Sequence, residues 1–321
     1  RSAMVRNILR QSTKFGMDPL RIGTRASPLA LWQAEHVREA LLTRDPFLSV
    51  DLVPMTTTGD RELAAPLHQL GGKGLFVKEI ESALLAGEVD LAVHSMKDVP
   101  ALQPEGLELA VILEREDVRD AFVAAQYENE MALPKGARVG SSSLRRRAQL
   151  LHRRPDLQLD DLRGNVATRL AKLDCGDYDA IILAAAGLKR LGMEERIRSF
   201  FAVEDSLPAV GQGAIGIEIR ADDEKTRSLV LPLAHQETSL CVRAERAMNR
   251  TLGGDCRLPV AALARWKEGM LKLEGRVASP DGETVLRAEA AGSDPIALGE
   301  QVAEDLLQQG AGKIIKELQP A

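Results

Sequence analysis

The sequence has few cysteines, few aromatic residues, no long hydrophobic run and no excess of positive charge. Three cysteines in 321 residues, Cys175, Cys241 and Cys256, are too few and odd in number for a disulfide framework, so we expect a reducing compartment. No stretch approaches the roughly 18 consecutive apolar residues that a membrane-spanning helix needs, which excludes an integral membrane protein. The formal net charge of −5 argues against a nucleic-acid-binding protein.

The first 17 residues are basic and contain no acid. They lack the apolar core of a secretory signal, so a secreted protein is not indicated. A remnant of an organellar targeting segment is one interpretation of this composition. An N-terminal extension of a cytoplasmic protein is the simpler one, and we therefore expect a cytoplasmic location.

The remaining sequence has the composition of an ordinary globular protein, at a length that favours two or three domains. Short apolar strands alternate with amphipathic helices, the first of which is opened by Pro28, and the same alternation restarts near Asp120. The pattern then changes to a helix around Ser239–Arg250, a hairpin with its turn at 281–282, and a last helix from Ile296 to Gln309. This order predicts two α/β units, with functional loops at the carboxyl ends of their strands, followed by a small α+β unit.

Positive charge is concentrated between residues 141 and 170, where seven arginines accompany three acids. Three serines at 141–143 stand where a strand passes into a helix, so hydroxyls and backbone N–H groups would converge there on one anion. Arg145 and Arg146 follow at once, and arginine can bind a carboxylate through two hydrogen bonds. We predict an anion site here. A solvated helix face is the alternative, and the pattern does not distinguish phosphate from carboxylate.

Two further segments carry side chains suited to chemistry. In HSMKDVP, residues 94–100, Lys97 offers a cation for a carboxylate and Asp98 offers a carboxylate for a developing cation. We interpret His94 as a hydrogen-bonded structural imidazole and predict no metal site, because no second His or Cys has metal-ligand spacing. Cys256, in LGGDCRLP, lies on a predicted turn, where a structural cysteine and a reactive nucleophile remain equally open.

Seven segments stand in order along the chain: RIGTRASPLALWQAEHV, GGKGLFVKEIESALLAGEVDLAVHSMKDVP, SSSLRRRAQL, LRGNVATRLAKL, DAIILAAAGLKRLG, LPAVGQGAIGIE and AERAMNRTLGGDC. Together they closely resemble the hydroxymethylbilane synthase family, also called porphobilinogen deaminase, from about Leu20 to the C-terminus. The resemblance implies a transferase of tetrapyrrole and haem biosynthesis. Such an enzyme joins four porphobilinogen units head to tail into hydroxymethylbilane and releases ammonia at each addition. It does so on a dipyrromethane cofactor held by a cysteine thioether.

The resemblance also implies roles for individual residues. Cys256 is expected to anchor the dipyrromethane, and Asp98 is expected to be the catalytic centre that stabilises positive charge on the pyrroles. The residues expected to bind the cofactor besides Cys256 are Lys97, Asp98, Ser143, Arg145 and Arg146. Each added pyrrole brings two carboxylates, and the substrate and growing oligopyrrole chain are expected at Arg25, Ser27, Arg163, Arg169, Arg190 and Phe76.

The fold implied by the resemblance has two domains like type II periplasmic binding proteins around a cleft, and a third, α+β domain that carries the cysteine. The expected bounds are 18–114 with 208–232 for domain 1, 115–207 for domain 2 and 233–321 for domain 3, after an N-terminal extension at 1–17. A monomer without nucleic-acid or membrane partners is expected. Two alternatives remain open: a non-catalytic two-lobe module that binds a carboxylate ligand, and a different transferase with Cys256 as a transient nucleophile.

Overall fold

Three β-sheets organise the chain, for which a computed structural model describes residues 18–61, 74–254 and 258–318. The strands are β1 Leu20–Arg25, β2 Val50–Met55, β3 Leu91–Ser95, β4 Leu107–Ile112, β5 Asp120–Ala124, β6 Arg138–Gly140, β7 Gln158–Asp160, β8 Ala180–Ala184, β9 Ser199–Phe200, β10 Ile215–Arg220, β11 Val260–Lys267, β12 Met270–Ala278 and β13 Val285–Gly292. The helices are α1 Pro28–Arg44, α2 Lys78–Leu85, α3 Leu144–Arg153, α4 Val166–Asp174, α5 Ala185–Arg190, α6 Glu224–Val230, α7 Gln236–Thr251, α8 Pro295–Gln308 and α9 Ala311–Leu318. Single helical turns occur at Thr58–Arg61, Met96–Asp98, Glu130–Ala132, Glu194–Arg196 and Leu231–Leu233.

The first sheet has the strand order β2-β1-β3-β10-β4. β1 runs parallel to β2 and β3, whereas β10 runs antiparallel to β3 and β4. α1 begins as its sequence predicts: the Ser27 hydroxyl accepts a hydrogen bond from the Ala30 N–H, and Pro28 occupies the first turn. Because β1 and β3 are parallel neighbours, Arg25 at the end of β1 and the turn that follows β3 lie at the same edge of the sheet.

The second sheet has the order β7-β6-β8-β5-β9. β6 runs parallel to β7 and β8, and β5 is antiparallel to β8 and β9. α3 follows β6, with Ser143 at its N-cap, and α4 follows β7, with the Asn165 side chain accepting from the Thr168 N–H. Both helices therefore begin at the carboxyl ends of parallel strands, where the sequence pattern predicts the functional loops.

The third sheet is an antiparallel β11-β12-β13 meander covered by α7 and α8. The predicted hairpin is confirmed, since β12 and β13 pair across the turn at 281–282. A Cβ on Gly299 of α8 would stand 2.5 Å from the Ala244 carbonyl oxygen of α7, so only glycine allows the two helices to approach this closely. The predicted last helix is α8, and the sequence analysis missed the short α9 that follows Gly310.

The expected fold class, two α/β units and a small α+β unit, is confirmed. β10 returns to the first sheet after the second sheet is complete, so the first unit is built from two separate parts of the chain. The residue bounds given above for the three domains remain a prediction. In the part of the chain that the structure describes, no helix combines the length and the apolar character needed to cross a bilayer.

A buried ion pair joins α7 to the segments that connect the two α/β sheets. Glu245 has no exposed surface and accepts hydrogen bonds from Arg115 Nη1 at 2.6 Å and Nη2 at 3.1 Å. The same carboxylate accepts from the backbone N–H groups of Gly211 at 2.7 Å and Ala264 at 2.9 Å. Because a buried charge without partners is costly, this carboxylate fixes α7 against both connecting segments and against the third sheet.

We expect Glu245→Ala to lower the free energy of unfolding by about 3–5 kcal/mol, because it leaves the Arg115 guanidinium without its counter-charge. Urea denaturation followed by circular dichroism measures the change. Glu237→Gln, an exposed site on the same helix, is the matched control and should change stability little. Equal unfolding midpoints for the two variants would contradict the structural role of this ion pair.

Candidate active site

A cavity of about 450 Å³ is lined by residues from both α/β units. Eight of the twelve residues predicted for the site line it: Arg25, Ser27, Phe76, Lys97, Asp98, Arg146, Arg163 and Arg169. A smaller neighbouring cavity of about 60 Å³ is lined by Ser143 and Arg145 and also borders on Lys97. The structure therefore brings together most of the predicted residues, which lie far apart in the sequence.

Two predicted site residues are not among those that line these cavities. Cys256 lies outside the described residues, although Leu258, two positions later, borders the smaller cavity. Arg190 donates to the Gly213 carbonyl at 2.6 Å, and its guanidinium lies 5.7 Å from the centre of the Trp32 ring. Arg190 thus contacts the segment leading into β10 and the helix α1.

Arg25 and Asp98 are neighbours in the wall of the larger cavity. Arg25 Nη1 lies 3.9 Å from Asp98 Oδ2, a distance for charge attraction rather than a hydrogen bond. The same guanidinium forms an ion pair with Asp60 and lies 4.4 Å from the centre of the Phe76 ring. The Asp98 side chain is 30% exposed, so its carboxylate remains accessible to a ligand in the cavity.

Lys97 precedes Asp98 in the helical turn Met96–Asp98 and borders both cavities. Burial lowers the pKa of the Lys97 ammonium to about 8, and the positive charges of Arg146 and Arg169 act in the same direction. The charge of Asp98 opposes them. A bound carboxylate would favour the charged form of Lys97, so anion binding and proton binding are coupled at this residue.

The first turn of α3 holds two buried arginines on a single carboxylate, Asp120. Arg145 Nη1 donates to Asp120 Oδ2 at 2.8 Å, and Arg146 Nη2 donates to Oδ1 at 2.8 Å. The Ser206 hydroxyl and the Gln212 amide also donate to this carboxylate. Burial alone would raise the pKa of Asp120, but the charges and hydrogen bonds of the two arginines hold it well below its usual range. One positive charge remains in excess at this group.

Arg163 and Arg169 add further positive charge on the α4 side. Arg169 Nε donates to the Gly164 carbonyl at 2.8 Å. Burial lowers the pKa of Arg169 to about 10, and the nearby charges of Arg146 and Arg163 contribute. Among the described residues that line the cavity, five cationic side chains accompany two carboxylates, those of Asp60 and Asp98. Like charges held close together at partial burial favour a polyanionic ligand.

Fewer arginines of the arginine-rich segment are available to a ligand than its composition indicates. The Ser143 hydroxyl caps α3, and the Ser142 hydroxyl bonds to the backbone of Leu162. The other three arginines on or directly after α3 form ion pairs with acids of their own unit, Arg147 with Asp161, Arg153 with Glu130 and Arg154 with Asp156. Of the seven arginines in this segment, Arg146, Arg163 and Arg169 line the larger cavity.

The interpretation of His94 as a structural imidazole is confirmed, since it is buried with Nε2 3.0 Å from Glu218 Oε2. In the described ranges no group of three His, Cys, Asp or Glu side chains is arranged to hold a metal ion. Sequence reasoning missed Asp60 and Asp120, the partners of the site arginines. Asp120 carried a usable signal, because a charged residue opening the apolar strand DAFVA needs a buried partner.

The fold and cavity define a protein of two α/β units with a cationic cleft that contains the accessible carboxylate of Asp98. The model of the family described as "Porphobilinogen deaminase, dipyromethane cofactor binding domain" matches residues 20–228, and the one described as "Porphobilinogen deaminase, C-terminal domain" matches residues 239–308. Curated porphobilinogen deaminases from two strains of Acidithiobacillus ferrooxidans are 66% identical over 302 residues, 94% of this chain and 99% of each relative. The chain belongs to the porphobilinogen deaminase family.

Similarity to solved structures is more distant. The chain is 16% identical to the periplasmic VFT2 domain of Bordetella pertussis BvgS, with a TM-score of 0.40 over 72% of this chain and 90% of that one. Immunogenic lipoprotein A from Vibrio vulnificus is 16% identical, with a TM-score of 0.43 over 68% of this chain and 96% of that one.

Family membership agrees with the function expected from the sequence. The chain is a transferase of porphyrin and haem biosynthesis with hydroxymethylbilane synthase activity on porphobilinogen. Its first two units correspond to the dipyrromethane-binding domain of the family. These conclusions confirm the predicted family, reaction class and cofactor, whereas the roles of individual residues remain predictions.

We expect anion affinity to fall as the pH rises through about 8, because Lys97 loses its charge there when no anion is bound. In Cys256→Ala protein, NMR of ¹³C-labelled lysine should give a signal with a midpoint near 8 that Lys97→Arg removes. Porphobilinogen should shift this midpoint upward, and its affinity should be constant below pH 8 and weaken above it. A Lys97 midpoint above 10, or one that does not respond to porphobilinogen, would contradict the coupling.

Proposed function

We propose that this chain makes hydroxymethylbilane with Asp98 as its catalytic centre and the cationic cleft as a track for the pyrrole carboxylates. The main support for the proposal is that Asp98, Arg25, Arg146 and Arg169 all line the same cavity. Charge is the physical reason: each pyrrole ring adds two carboxylates, and the cavity has more cations than acids. A cleft for a neutral ligand would not need this excess.

Asp98 is suited to stabilise positive charge on a pyrrole. Its carboxylate is accessible from the cavity and is held 3.9 Å from Arg25 rather than in a tight ion pair. It would accept hydrogen bonds from pyrrole N–H groups while the carbon–nitrogen bond of porphobilinogen breaks and ammonia leaves. The free α-carbon of the terminal pyrrole would then attack the cationic methylene carbon, a carbon–carbon bond would form, and the proton on the attacking carbon would be lost to water or to the released ammonia. Asp98 would stabilise the positive charge at both steps.

The substrate residues divide between the two units. Arg25 and Ser27 stand at the end of β1, and Phe76 presents a ring face beside Arg25. Arg163 and Arg169 approach from the other unit, at the start of and within α4. A carboxylated pyrrole bound between them would be held from both sides, which orients its reacting carbon. We propose that Arg190 also contributes to the elongation path. It would do so by holding the segment leading into β10, where it donates to the Gly213 carbonyl.

The smaller cavity, of about 60 Å³, has room for carboxylate groups of a dipyrromethane but not for its two rings. Lys97, Ser143 and Arg145 line it, and Leu258 borders it two positions after Cys256. Arg145 Nε is buried without a hydrogen-bond partner among the described residues, which leaves a donor for a carboxylate. When bound, the dipyrromethane supplies the free pyrrole carbon that attacks the first substrate. We propose Cys256 as its point of attachment and Arg146 as a second cation toward it.

We further propose that the enzyme acts as a monomer in the cytoplasm, without a nucleic-acid or membrane partner. The net charge of −5 supports the absence of a nucleic-acid partner. The domain bounds 18–114 with 208–232, 115–207 and 233–321 belong to the same proposal. The discontinuous first sheet and the separate third sheet support them.

The attachment site is tested by the intact mass of the purified protein. Wild-type protein should carry the extra mass of two pyrroles and colour with an aldehyde reagent for pyrroles, whereas Cys256→Ala should do neither. Cys175→Ala, at an exposed cysteine in the second unit, is the matched control and should retain both signals. Wild-type protein that stays unmodified after incubation with porphobilinogen would overturn the assignment of the cofactor to this chain.

The catalytic role is tested by Asp98→Asn, which keeps the size of the side chain and removes its charge. We expect turnover to fall at least about 100-fold, a loss of the size seen when one group that stabilises transition-state charge is removed. The cofactor mass should be retained. Asp51→Asn, at an exposed position in β2, is the control. Wild-type rates in Asp98→Asn would remove Asp98 from the mechanism.

A further inference from the structure

Arg246 of α7 reaches from the third unit to the segment that follows Asp98. Its Nη2 donates to the Pro100 carbonyl at 2.8 Å, the Gln103 side-chain oxygen at 3.1 Å and the Ala101 carbonyl at 3.4 Å. Nη1 donates to the Val99 carbonyl at 3.3 Å. One guanidinium therefore hydrogen-bonds to the backbone carbonyls of residues 99–101, the three residues that follow Asp98.

Arg246 remains charged although much of its side chain is buried. Burial lowers the pKa of Arg246 to about 10, and the charge of Glu218 on β10 opposes this shift. Glu218 is 1% exposed and is itself held by His94. Glu81 of α2 lies in the same region, and burial together with the charge of Glu218 raises its pKa to about 7. A pKa of about 10 leaves Arg246 charged at neutral pH, so its guanidinium donates to residues 99–101 as a cation.

The turn that carries Lys97 and Asp98 is fixed at its two ends by different elements. On the strand side, the Met96 N–H donates to the Ala214 carbonyl at 3.0 Å, at the start of β10. On the far side, residues 99–101 are held by Arg246. The Asp98 side chain is partly exposed, and its 3.9 Å contact with Arg25 is too long for a hydrogen bond. The position of the carboxylate therefore depends strongly on the backbone of the turn.

We propose that Arg246 is a positioning residue for the reaction: it holds the Asp98 turn in place from the third unit and touches neither substrate nor cofactor. The inference rests on the proposed role of Asp98. Without Arg246 the far end of the turn loses its donors, and the carboxylate can move relative to the pyrrole N–H groups. A displacement of about 1 Å in a catalytic group can cost about 100-fold in rate. Substrate binding, which depends on the arginines of the cleft, is left intact.

The experiment compares Arg246→Met and Arg246→Lys with Arg243→Met, a control at an exposed arginine on the same helix. We expect Arg246→Met to lose 10- to 100-fold in kcat, with KM within twofold of wild type and full cofactor mass. Arg246→Lys keeps the positive charge but not the forked donors, and should fall between Arg246→Met and wild type. Arg243→Met should match wild type in all three measurements.

A double-mutant comparison separates positioning from a general loss of stability. If Arg246 acts through Asp98, adding Arg246→Met to Asp98→Asn should cause little further loss in single-turnover rate, whereas independent effects would multiply. The proposal would be overturned if the two rate losses multiplied in the double variant. It would also be overturned by wild-type kcat in either Arg246 variant, or by loss of cofactor mass in Arg246→Met. If Arg246→Met does not fold, the kcat and KM of Arg246→Lys decide alone. Wild-type turnover in Asp98→Asn would instead refute the proposed function, whatever Arg246 does.

Discussion

The carboxylate of Asp120 is the constraint on which the rest of the cleft depends. It opens β5 with no exposed surface and binds both arginines at the start of α3. An isolated charge at this depth would be prohibitively costly, so the fold must deliver two guanidiniums to it. Ser206 and Gln212, from the stretch that returns the chain to the first sheet, complete its hydrogen bonds. The two carboxylate oxygens of Asp120 therefore join the second unit to the segment that connects the units.

The contacts of Asp120 fix the orientation of the positive charge in the cleft. Arg145 satisfies Asp120 and the Leu207 carbonyl and contributes little to the larger cavity. Arg146 shares the same carboxylate yet still lines the cavity, so it presents a charge whose orientation is already set. Pre-oriented cations lose little conformational entropy when a ligand arrives. Binding strength toward a lengthening polyanion then comes from fixed charges rather than from mobile surface side chains.

Local sequence signals predicted the elements around the site well. Ser27 and Pro28 marked the start of α1, and the serines before Arg145 marked the start of α3, because caps and fixed backbone angles act over a few residues. Pairings between distant segments were not predictable in this way. Nothing local to Arg147 indicates that Asp161 neutralises it, and nothing near Arg25 indicates Asp60. Charge counts therefore overstated the number of arginines without an acidic partner. The resemblance carried by the seven ordered segments was the better guide, since ten of its twelve predicted residues line the two cavities.

Glu245 and Arg246 are neighbours in one turn of α7, yet they serve different parts of the molecule. Glu245 holds the connecting segments at Arg115 and Gly211, and Arg246 holds the backbone that follows Asp98. Successive helical residues point about 100° apart, so their directions are fixed by the pitch of the helix. Inserting or deleting one residue earlier in α7 would rotate both side chains away from their partners at once. An insertion or deletion in this helix is therefore expected to be tolerated much less well than a substitution on its exposed surface.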